Sequence, residues 1–361
     1  MNAWKDILIV IPTLNPADNL CEYVKELNKA GFDNVLVVDD GSNPSFRHVF
    51  DTLKKECSCE LYRHAVNLGK GRAIKSAINY FLNHNKEGEY IGLITVDSDG
   101  QHVTKDVIAV AEAMHEMPDS LVLGCRDFSS DHSNEVPWKS LFGNKCTKFF
   151  FGLLFGKKIS DTQTGLRGIP LCIMNQAIAL GGERFEYETN MLIYAVKQDV
   201  GICEVPIETV YMNNNEETHF RPIRDSLQIY GLMFAIFLRY MLASLSAFII
   251  DIAIFQMFII ILSAMPDTVR ITLATVIARI FSSLYNLFVN KNFVFEAKES
   301  SGKGYIIRYY ILCLIQICIS SGAVSLIYII WPMAETIIKM IVDTILFFVN
   351  FRIQQKWVFK K

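Results

Sequence analysis

Short apolar segments alternate with segments of helical period along the first 125 residues of the chain. Segments of this length, separated by amphipathic helices, are typical of βαβ units, which build a mainly parallel sheet with helices on both faces. The helix after the first strand is expected to begin at Pro16, with Asn15 as its cap. The predicted strands cover residues 7–12, 35–40, 60–63, 90–97 and 120–125, and the further predicted helices cover residues 45–56, 70–83 and 104–116. The front of the chain is therefore predicted to be an α/β domain.

A second pattern begins near residue 238, where long apolar segments replace the alternation. Four of them, at residues 238–262, 271–290, 307–330 and 336–353, are long enough to cross a bilayer as helices. Charged residues become sparse at the same point: twelve basic and six acidic residues follow residue 235, against 23 and 31 before it. We therefore predict a front domain at residues 1–230 and a domain of four transmembrane helices at residues 231–361.

The basic residues of the rear domain predict its orientation. Lys291 and Arg308 flank the loop between the second and third spans, and Arg352 and Lys356 accompany the end of the fourth. Because positive charge concentrates on the cytoplasmic side of membrane proteins, both termini and the front domain are predicted to be cytoplasmic. The chain is thus expected to be an integral protein of the inner or plasma membrane.

The rear domain also contains an internal repeat. Asn286 and Phe293-Val294-Phe295 match Asn350 and Trp357-Val358-Phe359 at an offset of 64 residues. Arg239-Tyr240 recurs as Arg308-Tyr309 after 69 residues. Two tandem hairpins of the same orientation follow from this repeat.

Three ionisable residues, Asp251, Arg279 and Asp343, lie inside the predicted spans. Such groups are costly in a bilayer and usually mark a function. Asp251 and Arg279 fall at similar depths, so a purely structural ion pair is the alternative.

Composition excludes several other classes of protein. The chain has 361 residues, is 51% hydrophobic and carries a net charge of −2, which gives no electrostatic basis for a nucleic-acid partner. Its nine cysteines are odd in number and contain no CxxC pair, which favours a reduced compartment and argues against zinc. The apolar run at residues 7–12 is too short for a secretory signal.

Polar residues follow the predicted strands, at the edge where sheets of this class bind ligands. Asp97, Asp99 and Gln101 alternate after one strand, so their oxygens can converge on Mg²⁺ or Mn²⁺. Asp39 and Asp40 follow another strand and could accept from ribose or a base, or simply form a turn. The segment around Lys70, Asn67 to Arg72, is a candidate anion site but lacks P-loop spacing.

Seven motifs occur in one order along residues 5–225: IPTLN (11–15), VVDDGS (37–42), NLGKGRA (67–73), DSDGQH (97–102), GCRD (124–127), DTQTGLRG (161–168) and FEYET (185–189). In this order they resemble the inverting family 2 glycosyltransferases with a GT-A, Rossmann-like fold. The polyprenyl-phosphate branch, which includes dolichol-phosphate mannose and glucose synthases, is the most similar. Residues 236–361 resemble the GtrA-type four-helix domain, for which association with polyprenyl-linked sugars is implied.

The resemblance implies roles for individual residues. Asp97, Asp99, Asp161 and Arg126 would be the catalytic set, with Asp97, Asp99 and Gln101 around the metal. The donor would contact a larger group: Pro12, Asn15, Asp39, Asp40, Lys70, Gln163, Glu186 and Glu188. Which of the two glutamates faces the sugar is open at this point. The acceptor phosphate would meet basic side chains, which suit phosphate: Arg126, Arg167, His219, Arg221 and Arg224.

The implied activity is transfer of one sugar from a UDP- or GDP-hexose to a polyprenyl phosphate, undecaprenyl phosphate in a bacterium. A divalent metal, Mg²⁺ or Mn²⁺, would be the cofactor. Membrane lipids and a second copy of the chain are the candidate partners besides the substrates. Residues 138–155 suit a helix lying in the headgroup region, with a core-packed helix as the alternative. The rear domain would flip the product or serve only as an anchor or oligomerisation module. A processive polysaccharide synthase is disfavoured because its QxxRW motif does not occur.

Overall fold

A computed structural model describes residues 4–85, 89–126, 138–208, 222–295, 304–331 and 335–359. The chain divides into two compact units, Met1–Leu232 and Met233–Lys361. The first unit combines a mixed sheet with helices and the second is helical, so the predicted fold class is confirmed.

A seven-stranded sheet forms the centre of the first unit, in the order β3-β2-β1-β4-β6-β5-β7. Its pairs are parallel except at β6, which runs antiparallel to both β4 and β5. The carboxyl ends of β1, β2, β4 and β5 therefore meet the start of β6 at one edge. The strands are β1 (Ile7–Thr13), β2 (Val35–Asp39), β3 (Glu60–Arg63), β4 (Gly92–Thr95), β5 (Ser120–Arg126), β6 (Arg167–Pro170) and β7 (Gly201–Ile207).

Among the described residues of the first unit, seven α-helices precede the long helix that begins at Pro222. Their bounds are α1 (Leu20–Lys29), α2 (Arg47–Glu56), α3 (Lys70–His84), α4 (Thr104–Glu116), α5 (Trp138–Phe155), α6 (Leu171–Ala177) and α7 (Glu186–Lys197). Alternate residues of β1, from Ile7 to Ile11, pack in one core with apolar residues of α1, α2 and α4. Because strand side chains alternate between faces, the fully buried β1 needs cover on both sides.

The start of α1 differs from the prediction. The helix begins at Leu20, and Asn15 adopts a left-handed conformation with φ of 51° instead of capping a helix at Pro16. The backbone N–H of Asn15 donates to Ser42 Oγ at 2.8 Å, and its side-chain oxygen accepts from the N–H of Asn43 at 2.9 Å. Asn15 therefore ties the loop after β1 to the loop after β2, a long-range contact that local sequence does not encode.

Helix α5 confirms the helix expected at residues 138–155. Side chains of Asn144, Thr147, Phe151 and Leu154 are buried at helical spacing, and Thr147 Oγ1 lies 3.3 Å from the Tyr230 hydroxyl. The other face exposes Lys145, Lys148 and Phe149. One face thus packs in the first unit, while the other combines lysines with an aromatic ring.

The second unit consists of long helices: the rest of α8 (Pro222–Ile261), then α9 (Asp267–Val289), α10 (Gly304–Ile330) and α11 (Glu335–Ile353). Among the described residues, three segments are long and apolar enough to cross a membrane: Leu227–Ile261, Asp267–Val294 and Gly304–Ile327. The fourth predicted span forms α11, whose nineteen residues include Lys339, Asp343 and Arg352. Because of these charged residues, α11 is less apolar than the three candidate spans.

Repeat-equivalent residues join the two helical hairpins by exchanged hydrogen bonds. The hydroxyl of Tyr240 on α8 accepts from Asn350 Nδ2 of α11 at 3.2 Å. The hydroxyl of Tyr309 on α10 accepts from Asn286 Nδ2 of α9 at the same distance. Both contacts cross between the hairpins, so the sequence repeat is also a structural one.

The ends of α9 and α11 repeat the same backbone feature. Each continues into a π-helical turn, Asn290–Val294 after α9 and Gln354–Val358 after α11. Asn290 Nδ2 donates to Gln354 Oε1 at 3.1 Å, and the rings of Phe295 and Phe359 stack with centroids 5.2 Å apart. The two hairpins are therefore fastened at the end where α9 and α11 finish.

Candidate active site

Three of the predicted site residues, Asp39, Asp97 and Arg126, lie at the carboxyl edge of the sheet. Asp39 ends β2, Asp97 follows β4 and Arg126 ends β5. Antiparallel β6 starts at the same edge, where Arg167 is in register with Thr95 of β4 and Leu123 of β5. The topology therefore brings the segment before β6, residues 161–166, to the residues that follow β4 and β5.

Lys70 joins two carboxylates at the centre of this edge. Its Nζ lies 2.6 Å from Asp97 Oδ1 and 3.0 Å from Glu188 Oε1. Helix α3 begins at Lys70 and α7 carries Glu188 in its first turn, so three separate elements supply the cluster. The Lys70 and Glu188 side chains are largely buried, which strengthens their interaction relative to a surface pair.

The charges in this cluster stabilise one another. Burial alone would lower the pKa of Lys70, but Asp97 and Glu188 outweigh burial and raise it. For the acid Asp97, burial works in the other direction and would raise the pKa. The positive charge of Lys70 and the contact with His102 outweigh burial, and the pKa of Asp97 is lowered. Asp99 shows the opposite result: its pKa is raised by burial and by the negative charge of Asp97. Two neighbouring carboxylates thus differ in their readiness to ionise, and a cation beside them would relieve the repulsion.

The oxygen atoms offered by residues 97–101 are suitable ligands for a hard divalent cation. Asp97 and Asp99 offer carboxylate oxygens and Gln101 offers an amide oxygen, which are ligands suited to Mg²⁺ or Mn²⁺. Among the described residues, no group of three or more His, Cys, Asp or Glu side chains is placed to hold a metal ion. Mg²⁺ commonly completes its coordination with substrate phosphates and water, so a site of two carboxylates is consistent with its binding together with a donor.

The two aspartates after β2 have different partners. Asp39 accepts from the Ser42 N–H at 2.8 Å, and its other oxygen lies 3.2 Å from Arg63 Nε. Asp40 accepts from the N–H groups of Leu68 and Gly69, at 2.9 and 2.7 Å, through separate oxygens. Asp40 therefore holds the loop that precedes Lys70.

A tight turn brings these loops together. Gly41 has a φ of 74°, and a Cβ there would lie 2.2 Å from the carbonyl carbon of Val66. Both its conformation and this close approach require glycine. The VVDDGS and NLGKGRA motifs are thus two halves of one packed structure.

Arg126 and Asp161 form a bidentate pair. Arg126 Nε and Nη2 lie 2.6 and 3.1 Å from the two oxygens of Asp161. Asp161 is fully buried and also accepts from the N–H of Gln163 at 3.0 Å. Asp161 therefore orients the Arg126 guanidinium and the loop that carries Gln163.

Two other predicted residues are engaged in local structure. Arg167 is buried and donates to the carbonyls of Thr164, Glu188 and Thr162, at 2.8, 2.7 and 3.2 Å. Glu186 accepts from the N–H groups that precede α7, at 3.0 and 3.3 Å. Of the two glutamates, Glu188 is the one that contacts Lys70, while Arg167 bonds the backbone of the segment before β6 and of α7.

Two of the remaining predicted residues, His219 and Arg221, lie outside the described residues. Arg224 is exposed in the first turn of α8, and Pro12 is buried within β1 opposite Val38.

In the second unit, Asp251 accepts from Ser282 Oγ at 2.7 Å and lies 3.9 Å from Arg279.

Asp343, in α11, accepts from Ser320 Oγ at 2.6 Å and pairs with Lys339 at 2.8 Å. Together with the contacts of Asp251, these bonds link α8 to α9 and α10 to α11. The three ionisable residues of the predicted spans, Asp251, Arg279 and Asp343, therefore have polar contacts within each hairpin.

Sequence reasoning missed the residues that position the Asp97 carboxylate. His102 is buried, with Nε2 3.6 Å from Asp97 Oδ2, and Gly165 lies directly against the same carboxylate. Tyr23 is also buried. The pKa of its hydroxyl is raised mainly by burial and further by the negative charges of Asp97 and Asp99. His102 lies in the DSDGQH motif and Gly165 lies in the DTQTGLRG motif. Membership of these motifs is the sequence feature that could have identified them.

Comparison with known proteins assigns both parts of the chain. Residues 8–177 match the model of glycosyl transferase family 2, and residues 231–359 match that of the GtrA/DPMS transmembrane domain. Uncharacterized protein MJ1222 of Methanocaldococcus jannaschii is 31% identical over 207 residues, 57% of this chain and 82% of that protein. The chain belongs to glycosyltransferase family 2 and carries a GtrA/DPMS transmembrane domain. It is a membrane-embedded glycosyltransferase.

Two further relatives have more specific names. A UDP-N-acetylglucosamine–dolichyl-phosphate N-acetylglucosaminyltransferase of Methanococcus voltae is 27% identical over 228 residues, 58% of this chain and 87% of that protein. Glycosyltransferase AglJ of Haloferax volcanii is 24% identical over 220 residues, 61% of this chain and 68% of that protein. Both matches extend over most of the relative's length.

Proposed function

We propose that this chain transfers one sugar, with inversion, from a nucleotide sugar to a polyprenyl phosphate at the cytoplasmic face of a membrane. The observation that carries the proposal is the placement of two charge clusters at one sheet edge of a membrane-embedded family 2 glycosyltransferase. Lys70, Asp97 and Glu188 form one cluster, and Arg126 with Asp161 forms the other. The first suits a sugar diphosphate and the second suits a phosphate acceptor. The dolichyl-phosphate acceptor in the name of the Methanococcus voltae relative supports a lipid phosphate.

In this proposal, Asp97, Asp99 and Gln101 would hold a divalent cation together with the donor diphosphate. The cation would supply neutralisation of the leaving nucleoside diphosphate. Lys70 binds and orients the same diphosphate from the start of α3, where backbone N–H groups also favour an anion.

Arg126 would present the acceptor phosphate to the anomeric carbon. Asp161 fixes the guanidinium plane by a bidentate pair, so Arg126 is held in one orientation while it binds phosphate. The acceptor oxygen is already anionic near neutral pH, so a strong general base is not required. Positioning and charge neutralisation would then account for most of the rate.

Helix α5 would contact the membrane surface from which the lipid acceptor comes. The exposed Lys145, Lys148 and Phe149 suit the headgroup region. The contacts of Asp251 and Asp343 within each hairpin favour an anchoring role for the second unit over transport.

The first test is a membrane assay with a panel of UDP- and GDP-sugars and polyprenyl phosphate, read by mass spectrometry of the lipid. We expect one lipid-linked monosaccharide. A long polymer would instead indicate a processive synthase, and no lipid product with any donor would contradict the proposal.

The second test is Asp99→Ala in the full chain. Loss of a carboxylate from the cation site is expected to reduce transfer by more than about a hundredfold. Thermal unfolding should stay close to wild type, because Asp99 bonds only the nearby N–H of Gln101 among the contacts described for it. Near-normal turnover with intact folding would refute the metal role.

A further inference from the structure

The Asp97 carboxylate lies directly against the backbone of Gly165. A Cβ at Gly165 would be 2.1 Å from Asp97 Oδ2, 2.5 Å from Cγ and 2.6 Å from Oδ1. All three atoms of the carboxyl group fall inside the distance that real Cβ atoms keep from their neighbours. Any side chain at position 165 would therefore displace either the carboxylate or the backbone.

The backbone is the less movable of the two. Thr95 Oγ1 donates to the Gly165 carbonyl at 2.8 Å, and the Leu166 carbonyl accepts from Gly124 N–H at 2.9 Å. Arg167, two residues on, is already paired in the sheet with Thr95 and Leu123. Because hydrogen bonds to two strands hold residues 165–167, the carboxylate at the end of a side chain would yield first.

Displacement of the carboxylate would disturb its present contacts. Asp97 Oδ1 lies 2.6 Å from Lys70 Nζ, and Oδ2 lies 3.6 Å from His102 Nε2. The carboxylate that contacts Lys70 and His102 is therefore the same group that leaves no room for a side chain at position 165. The glycines Gly92 and Gly168 of the paired strands differ, since an added Cβ would meet Met114 at both, and also the Ile169 carbonyl at Gly92, but no carboxylate.

We propose that Gly165 is a positioning residue, which holds the Asp97 carboxylate in the orientation needed to bind the cation and donor diphosphate. This inference rests on the proposed function, because it takes Asp97 as a metal ligand. It also gives the DTQTG segment two tasks. Asp161 at its start orients Arg126 on the acceptor side, and Gly165 at its end orients Asp97 on the donor side.

The test is Gly165→Ala in the full chain in detergent, with Mn²⁺ binding measured by electron paramagnetic resonance in the presence of UDP. We expect Mn²⁺ affinity to fall about 10–100-fold, the range found when groups that orient metal ligands are removed. Thermal unfolding should remain within a few degrees of wild type. The matched control is Gly181→Ala, where an added Cβ would meet its nearest neighbour, Asn190 Nδ2, at an ordinary 3.8 Å.

Asp97→Asn separates failure of the inference from failure of the proposed function. If Asp97→Asn leaves Mn²⁺ affinity unchanged, Asp97 is not a metal ligand and the proposed function itself is wrong at this point. If Asp97→Asn weakens Mn²⁺ binding and folded Gly165→Ala does not, the positioning role is wrong.

A second variant covers the case in which Gly165→Ala does not fold. Thr95→Val removes the hydroxyl that holds the Gly165 carbonyl but keeps the shape of the buried side chain. We expect a severalfold loss of Mn²⁺ affinity, restored by Thr95→Ser. Wild-type affinity in Thr95→Val, or failure of Thr95→Ser to restore it, would overturn the inference.

Discussion

Adjacent aspartates at the end of β2 differ in how completely the protein uses their oxygens. Both oxygens of Asp40 accept from backbone N–H groups, of Leu68 and Gly69. One oxygen of Asp39 accepts from Ser42 N–H, and the other faces Arg63, whose side chain is 49% exposed. An asparagine at position 39 can keep its oxygen on Ser42, whereas one at position 40 must turn its amide group towards an N–H.

We therefore predict that Asp40→Asn lowers the free energy of unfolding by about 2 kcal/mol, since it leaves a buried N–H without an acceptor and removes the negative charge 2.7 Å from Nδ1 of the buried His64. Asp39→Asn should lower it by less than about 1 kcal/mol, because the lost ion pair with Arg63 is solvated. Denaturant unfolding of the two variants in the full chain, compared side by side, measures this difference. Equal losses of stability would show that the NLGKGRA loop does not depend on Asp40.

At the scale of single helices and strands, the sequence identified the elements whose patterns are local. The helix at residues 104–116 was predicted with its exact bounds, and α3 differs by one residue at its end. Strands β6 and β7 were not predicted. β6 has only four residues, Arg167–Pro170, and its pairing with two distant strands gives no local period.

The site shows the same division between local and long-range information. The sequence motifs predict Lys70, Asp97 and Glu188 as site residues. They do not predict that the Lys70 ammonium lies between the Asp97 and Glu188 carboxylates, which come from other elements. The chemistry of arginine predicts that Arg167 binds the acceptor phosphate, yet three of its N–H groups donate to backbone carbonyls in the structure. Such use of a charged group depends on burial and partners, which residue type alone does not specify.

The exchanged tyrosine contacts of the second unit lead to a prediction about element pairing. Tyr240→Phe removes the acceptor for Asn350 and Gln354, and Tyr309→Phe removes the acceptor for Asn286. Each change should lower stability by about 1 kcal/mol, a typical value for a hydrogen bond between membrane helices. Thermal unfolding in detergent measures the loss.

Tyr305→Phe is the matched control for both tyrosines, because its described contacts are made by the ring, against Lys291 and Phe359. The two test variants should unfold at lower temperature than this control. If all three variants unfold with the wild type, the exchanged tyrosine contacts contribute no measurable stability to the pairing of the hairpins.

The number of spans decides on which side of the membrane the two ends of the molecule lie. Three described helices satisfy length and hydropathy, whereas α11 contains Lys339, Asp343 and Arg352. Lys339 and Asp343 neutralise each other at 2.8 Å, and Arg352 lies in the last turn, where a long side chain can reach the interface. Nineteen residues at about 1.5 Å each also approach the thickness of the hydrocarbon core. These features favour four spans.

Four spans place the C-terminus on the same side as the catalytic unit, and three place it on the opposite side. We predict that a green fluorescent protein fused after Lys361 fluoresces and that alkaline phosphatase fused there is inactive, as for fusions after residue 300. Fusions after Met265, between α8 and α9, should give the reverse and serve as the control. Active phosphatase after Lys361 would mean that α11 does not cross. The polar contacts of Asp343 would then belong to a helix at the membrane surface. The two hairpins, although equivalent in sequence, would differ in the number of helices that cross the membrane.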